Sequence, residues 1–264
     1  MSRISDTFGE LKRAGRGGFI PFITAGDPDL PTTESLLIEL TAAGADIIEI
    51  GVPFSDPVAD GEVIQRASER ALRNGVTVRD ALRCARNVRQ HIDVPIILFS
   101  YFNPLLQFGQ ERLAIAANEA GIDGVLVTDL IPEEAESWTQ TLLGQGLDPI
   151  FLVAPTTSDE RLAHIVRQAR GFIYAVSRAG VTGARDQMTR DAEALVNRVR
   201  AVSNLPVAVG FGISTPEQVR SVWRFADAAV VGSAIVREIE TLDNSPDLVK
   251  RIGEFTRSLV APAN

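Results

Sequence analysis

Eight short apolar runs rich in β-branched residues constrain this chain more than anything else in it: residues 19–24, 46–51, 94–101, 124–128, 148–153, 172–176, 206–210 and 228–231. Their starts are as close as 22 residues (Pro206 to Ala228) and as far apart as 48 (Asp46 to Val94), around the ~30 that one strand and its following helix occupy. Each run is almost continuously apolar, as a strand covered on both faces is. The segments between carry apolar residues at helical spacing, such as Leu113, Ala116, Ala117 and Ala120. Ala43-Gly44-Ala45-Asp46 and Ala120-Gly121-Ile122-Asp123 repeat one phrase before the second and fourth runs, with Gly placed as a helix stop. No linker or low-complexity tract interrupts the series. This alternation predicts an α/β chain folded as a single (β/α)8 TIM barrel, one domain over residues 1–264, with an extra helix at each end. A doubly wound open sheet is the competing architecture. It requires a Gly-rich dinucleotide turn after its first strand, which Thr24-Ala25-Gly26-Asp27-Pro28 does not provide.

Composition removes several classes of function. With 26 basic and 34 acidic residues, a net charge of −8, the chain has no electrostatic footprint for nucleic acid. No segment approaches ~20 uninterrupted apolar residues, and residues 1–6 do not begin a signal peptide, so no membrane is expected and the cytoplasm is. Cys84 is the single cysteine and no Cys/His cluster has zinc spacing, so neither a disulfide scaffold nor a metal is expected. Lys12 and Lys250, the only lysines, lie outside the runs, which removes a Schiff base on a barrel lysine. His91 and His164 fall in predicted helices away from strand ends, leaving acid–base work to carboxylates.

In a barrel of this type the chemistry sits at the C-terminal ends of the strands. Glu49 interrupts an apolar strand near that end, where burial raises a carboxyl's pKa toward the range of a general acid; a structural carboxylate satisfied by amides is the alternative. Asp60 follows in the next loop and, taken alone, reads as an N-cap for a helix beginning near Glu62; its pairing with Glu49 at one mouth favours a functional role. Asp56 fits a contact surface better, and Asp129 after the fourth strand is a weaker candidate. Glycines cluster after the last three strands, in Ser177-Arg178-Ala179-Gly180-Val181-Thr182-Gly183, Gly210-Phe211-Gly212-Ile213-Ser214 and Gly232-Ser233. With helix starts expected at Ser214-Thr215-Pro216-Glu217 and at Ser233, they point to a cradle of backbone amides for a phosphate.

Five of these strings, in order, resemble the signature of the tryptophan synthase α subunit family. They are Pro21-Phe22-Ile23-Thr24-Ala25-Gly26-Asp27-Pro28, Gly51-Val52-Pro53-Phe54-Ser55-Asp56-Pro57-Val58-Ala59-Asp60-Gly61, the two glycine strings at 177–183 and 210–214, and Val231-Gly232-Ser233-Ala234-Ile235-Val236. The similarity runs from about residue 19 to 240. Val58, Glu62 and Phe99 depart from the family's more usual Leu, Pro and Leu, and Phe99 bears on how the pocket is filled.

The resemblance implies reversible retro-aldol cleavage of indole-3-glycerol phosphate to indole and glyceraldehyde 3-phosphate. The indole then passes to a β subunit, in an α2β2 heterotetramer, whose pyridoxal phosphate joins it to serine; this chain needs no cofactor of its own. By the same carry-over Glu49 is the proton donor and acceptor, and Asp60 stabilises the charge at the indole N–H. Phe22, Phe99, Tyr174 and Phe211 line the indole pocket, and Gly183, Gly212, Gly232 and Ser233 hold the phosphate. A loop from Arg178 to about Met188 closes over substrate and brings Thr182 to Asp60. Three alternatives compete: a stand-alone lyase releasing free indole, a binding module that has lost catalysis, and another phosphate-binding barrel such as an isomerase. The presence of both Glu49 and Asp60 argues against the second, and the long Pro-rich loop after the second strand weakens the third.

Overall fold

The computed structural model describes residues 2–176, 185–210, 212–243 and 245–261, and the side chains of the helix beginning at Arg185 from residue 190 onward. All eight expected strands are present: β1 Gly18–Thr24, β2 Ile48–Gly51, β3 Ile96–Ser100, β4 Gly124–Val127, β5 Asp148–Val153, β6 Ile173–Val176, β7 Val207–Gly210 and β8 Ala228–Val231. Each pairs in parallel with the next, and β8 returns to β1, with Gly18 opposite Ala228 and Pro21 opposite Val231. Closure rules out the open sheet. A helix, Arg3–Ala14, precedes β1, and two helices, Ser233–Thr241 and Leu248–Val260, follow β8. The last packs against helices Leu30–Ala42 and Pro216–Trp223, and the short one lies against β1 and helix Glu62–Arg73.

The two-residue period of a strand sorts the side chains. Ile20, Ile47, Ile97, Leu126, Ile150, Ala208 and Ala228 fill the barrel interior, while Phe19, Ile48, Ile50, Ile96, Leu98 and Val125 pack outward under the helices. Both sets are buried, which is why the runs look uniformly apolar. The N-terminal helix closes the base of the barrel with Ile4, Phe8 and Leu11, and the Phe8 and Phe172 ring centroids are 5.6 Å apart. Its ends are fixed locally: the Ser2 side chain caps the first turn, and Gly15 ends the helix at a left-handed φ of 65°.

The base also carries a repeated device. Asp46, just before β2, accepts the Phe19 N–H that opens β1 at 2.9 Å. Asp123, just before β4, accepts the Ile96 N–H of β3 at 2.8 Å, and Asp227, just before β8, accepts the Val207 N–H of β7 at 2.8 Å. Each aspartate also pairs with an arginine placed shortly before the earlier strand: Arg16, Arg89 and Arg200. The aspartate of the repeated phrase therefore latches two neighbouring strands at their starts, with the arginine neutralising it. Of the histidines, His164 lies in helix Asp159–Gln168 as expected. His91 does not sit in a helix: helix Val78–Val88 ends before it and it occupies the following turn.

Candidate active site

The strands' C-terminal ends enclose a cavity of about 640 Å³ lined by Phe22, Glu49, Asp60, Phe99 and Tyr174, with Gly212, Gly232 and Ser233 at another part of its wall. Eight of the eleven residues expected at the site thus share one space. Thr182, Gly183 and Phe211 lie outside the described residues, as do residues 178–184 of the expected closing loop; from Arg185 that segment is helix, Arg185–Arg200.

Glu49 is in register with Phe22 of β1 and Ile97 of β3. One residue along β2 from the outward-facing Ile48 and Ile50, it faces the axis. It is 1% exposed, and among the described residues no donor reaches either carboxylate oxygen. Among the described residues, then, no amide satisfies it as the structural alternative requires. Taking a carboxylate out of water without a partner penalises its charged form, and burial pushes the Glu49 pKa from 4.5 up to about 8.

Asp60 is held differently. It does not cap the next helix: Gly61 precedes Glu62–Arg73, and no side chain caps that end. Burial raises its pKa from 3.8 to about 6, opposed by a hydrogen bond from the Tyr101 hydroxyl. That hydroxyl also accepts the Ala59 N–H at 2.9 Å, and the Tyr101 ring lies 5.1 Å from that of Phe54. Tyr101, just past β3, thereby fixes the loop that carries Asp60. Sequence reasoning assigned Tyr101 no role, although its place at the end of a strand was the available signal. Between pH 6 and 8 the two acids stand in opposite states, Glu49 protonated and Asp60 ionised.

Aromatic rings shape the wall beside them. Phe22 and Phe99 meet edge to face, with centroids 5.1 Å apart and planes at 73°. Tyr174 lies over Gly210, where an added Cβ would stand 2.2 Å from the phenol oxygen. Only glycine leaves room for that ring.

The anion end separates the two expected helix starts. Helix Pro216–Trp223 is closed by its own capping box, and the Ser214 and Thr215 amides both donate to Gln218 Oε1, at 2.8 and 3.1 Å. This corrects the expectation that this helix offers free amides. Helix Ser233–Thr241 begins at Gly232, which lines the cavity, with no side-chain cap among the described residues, so its first amides and dipole are left for an anion there. Gly212, at a left-handed φ of 72° with open space around it, turns the chain beside it. The weaker candidates have other occupations: Asp129 accepts the Phe102 N–H at 2.6 Å at the start of helix Phe102–Phe108, while Asp56 is exposed and accepts the Ser55 hydroxyl.

Residues 8–263 match the family model described as tryptophan synthase alpha chain. The chain belongs to the tryptophan synthase α chain family. A tryptophan synthase alpha chain of Citrifermentans bemidjiense is 50% identical over 259 residues, covering 98% of this chain and 97% of that one. Among solved structures, tryptophan synthase subunit alpha of Legionella pneumophila superposes with a TM-score of 0.91 at 41% identity, covering 98% of this chain and 97% of that one. A chain of tryptophan synthase from M. tuberculosis, in its aminoacrylate-bound form, gives 0.87 at 37% identity, covering 98% and 100%. Membership in the tryptophan synthase α chain family supports the expected enzyme subunit that cleaves indole-3-glycerol phosphate, a lyase of tryptophan biosynthesis, and implies a β-subunit partner. The stand-alone lyase is not favoured. Among the described residues no helix is long and apolar enough to cross a membrane.

Proposed function

We propose that this cavity performs the retro-aldol cleavage of indole-3-glycerol phosphate with Glu49 and Asp60 as its two working acids. The reading is carried by one observation: Glu49 is buried in the cavity that Asp60 also lines, with neither oxygen paired among the described residues. Glu49, protonated near neutral pH, gives its proton to indole C3. The ring becomes a cationic indolenine, and Asp60, ionised, accepts a hydrogen bond from the ring N–H and stabilises that charge. Glu49, now a carboxylate, takes the proton of the glyceryl hydroxyl next to C3. That carbon becomes the aldehyde of glyceraldehyde 3-phosphate, and the electrons of the broken carbon–carbon bond restore the indole ring. One proton enters and one leaves, so the acid is regenerated.

Phe22, Phe99 and Tyr174, joined by Phe211, hold the indole, while the phosphate rests on the amides of Gly212, Gly232 and Ser233 together with Gly183. Thr182 meets Asp60 when the loop after β6 closes. The chain acts as one domain over residues 1–264, in the cytoplasm, as the α subunit of an α2β2 assembly. It carries no cofactor itself, and pyridoxal phosphate belongs to the β subunit that receives the indole.

The test is release of indole from indole-3-glycerol phosphate by the purified chain, alone and mixed with a β subunit. Cleavage that rises on mixing, with co-elution of the two chains, supports the reading. Full activity alone without co-elution returns the stand-alone lyase, and no release in either case rejects the assignment.

A further inference from the structure

Two helices open at the mouth with their functional residues at or just before their first turn: Glu62–Arg73, preceded by Asp60, and Ser233–Thr241, preceded by Gly232. They pack together through an apolar cluster of Val63, Ile64, Ala67 and Val236 that also includes Phe22. An apolar contact of this kind resists separation but specifies register weakly, because it is non-directional.

Beside it lies a directional contact that the proposed chemistry does not use. Arg70, on the first helix, forks onto Asp27 in the loop after β1, with Nε to Oδ1 at 2.7 Å and Nη2 to Oδ2 at 2.9 Å. Its Nη1 reaches Glu240 Oε1, on the second helix, at 2.7 Å. Arg66, one turn before Arg70, holds both Glu240 oxygens at 2.7 and 2.8 Å. Asp27 is 1% exposed. One guanidinium thus bonds three segments: the loop leaving the strand of Phe22, the helix entered from Asp60, and the helix whose start faces the anion end of the cavity.

We infer that Arg70 is a positioning residue that, with Asp27 and Glu240, sets the separation between the phosphate-holding helix and the loop carrying Asp60. This deepens the proposed function and rests on it. A substrate anchored by its phosphate at one end and protonated at the other needs that separation fixed, since a displacement of about 1 Å can cost on the order of a hundredfold in rate. Lysine cannot replace the fork, because its three donors share one nitrogen, whereas Nε, Nη1 and Nη2 of Arg70 each make a bond in its own direction.

The experiment compares matched substitutions at the two ends of the barrel in the full chain, assayed with the β subunit, with activity expressed per folded molecule. Arg70→Lys is expected to lower kcat/KM for indole-3-glycerol phosphate by about tenfold to a hundredfold. Glu240→Gln, at a partly exposed position whose loss leaves the Arg70–Asp27 fork intact, is expected to raise KM several-fold with a smaller change in kcat. Arg89→Lys, which weakens a comparably buried pair with Asp123 at the base, is expected to lower the melting temperature and leave kcat/KM unchanged. Wild-type kcat/KM in both Arg70→Lys and Glu240→Gln overturns the inference, as does an equal loss in Arg89→Lys. A wild-type chain that releases no indole overturns the functional reading and this inference with it, an outcome seen without any variant.

Discussion

At the base of the barrel Asp123, 9% exposed, lies between Arg3 and Arg89 and accepts the Ile96 amide. At the mouth Glu49, 1% exposed, has no donor on either oxygen among the described residues. Asp27, also 1% exposed, is met by the Arg70 fork, so Glu49 is set apart from both of these buried carboxylates by its lack of a partner among the described residues. The base shows how this fold stabilises a buried carboxylate when stability is all that is needed. The mouth therefore reads as a site where a neutral acid is kept available, and the contrast locates function better than burial alone does.

Glu49→Gln tests that contrast most severely. Cleavage should fall by about 10²–10⁴-fold, because the amide has no acidic proton to transfer, measured as indole released per folded chain. The same change should stabilise the fold at alkaline pH. Glu49's folded pKa, about 8, lies above its ordinary value of 4.5. Its contribution is therefore complete below pH 4.5 and is lost as pH rises from there through 8. Melting curves of variant and wild type should diverge between pH 5 and 8; a constant gap would mean that Glu49 is solvated.

Asp60→Asn should lower turnover by about a hundredfold, as for the loss of one preorganised electrostatic group. In the wild type kcat/KM should rise through pH 6, as Asp60 ionises, and fall through pH 8, as Glu49 loses its proton. The variant should keep only the alkaline limb, and a retained acidic limb would assign that ionisation to another group. At the base, Phe8→Ala should cost about 3–5 kcal/mol of stability by denaturant titration and leave kcat/KM per folded chain unaltered. The smallest effect belongs to the most exposed latch. Asp227→Asn keeps an oxygen for the Val207 amide and loses only the charge facing Arg200, so a cost of about 1 kcal/mol or less is expected.

The strands were legible because nearly every residue in them is buried, which writes an apolar run into the sequence. Their ends were less so: Asp46 and Ile47 extend the second run, yet β2 begins at Ile48, since Asp46 is occupied with the start of β1. The repeated Gly signals a helix stop by itself, but the aspartate two residues later carries no local sign of a latch, because its partner lies on a different strand. Glu49 was visible as a charge in an apolar strand. That no described residue partners it is visible only in the closed barrel. The helix starts at Thr215 and Ser233 look alike in sequence, and only the reach of the Gln218 side chain separates a filled amide nest from an open one.

The latches at the base also bear on the order in which the chain folds. Each joins residues 27, 27 or 20 positions apart, so closing it costs little loop entropy beside the contact that joins β8 to β1. The first and second strands, the third and fourth, and the seventh and eighth are accordingly expected to pair before the ring is complete. Moving the chain ends by circular permutation into the β1–β2 connection would turn a short-range latch into one spanning the entire polypeptide, whereas a cut between β2 and β3 would leave all three local.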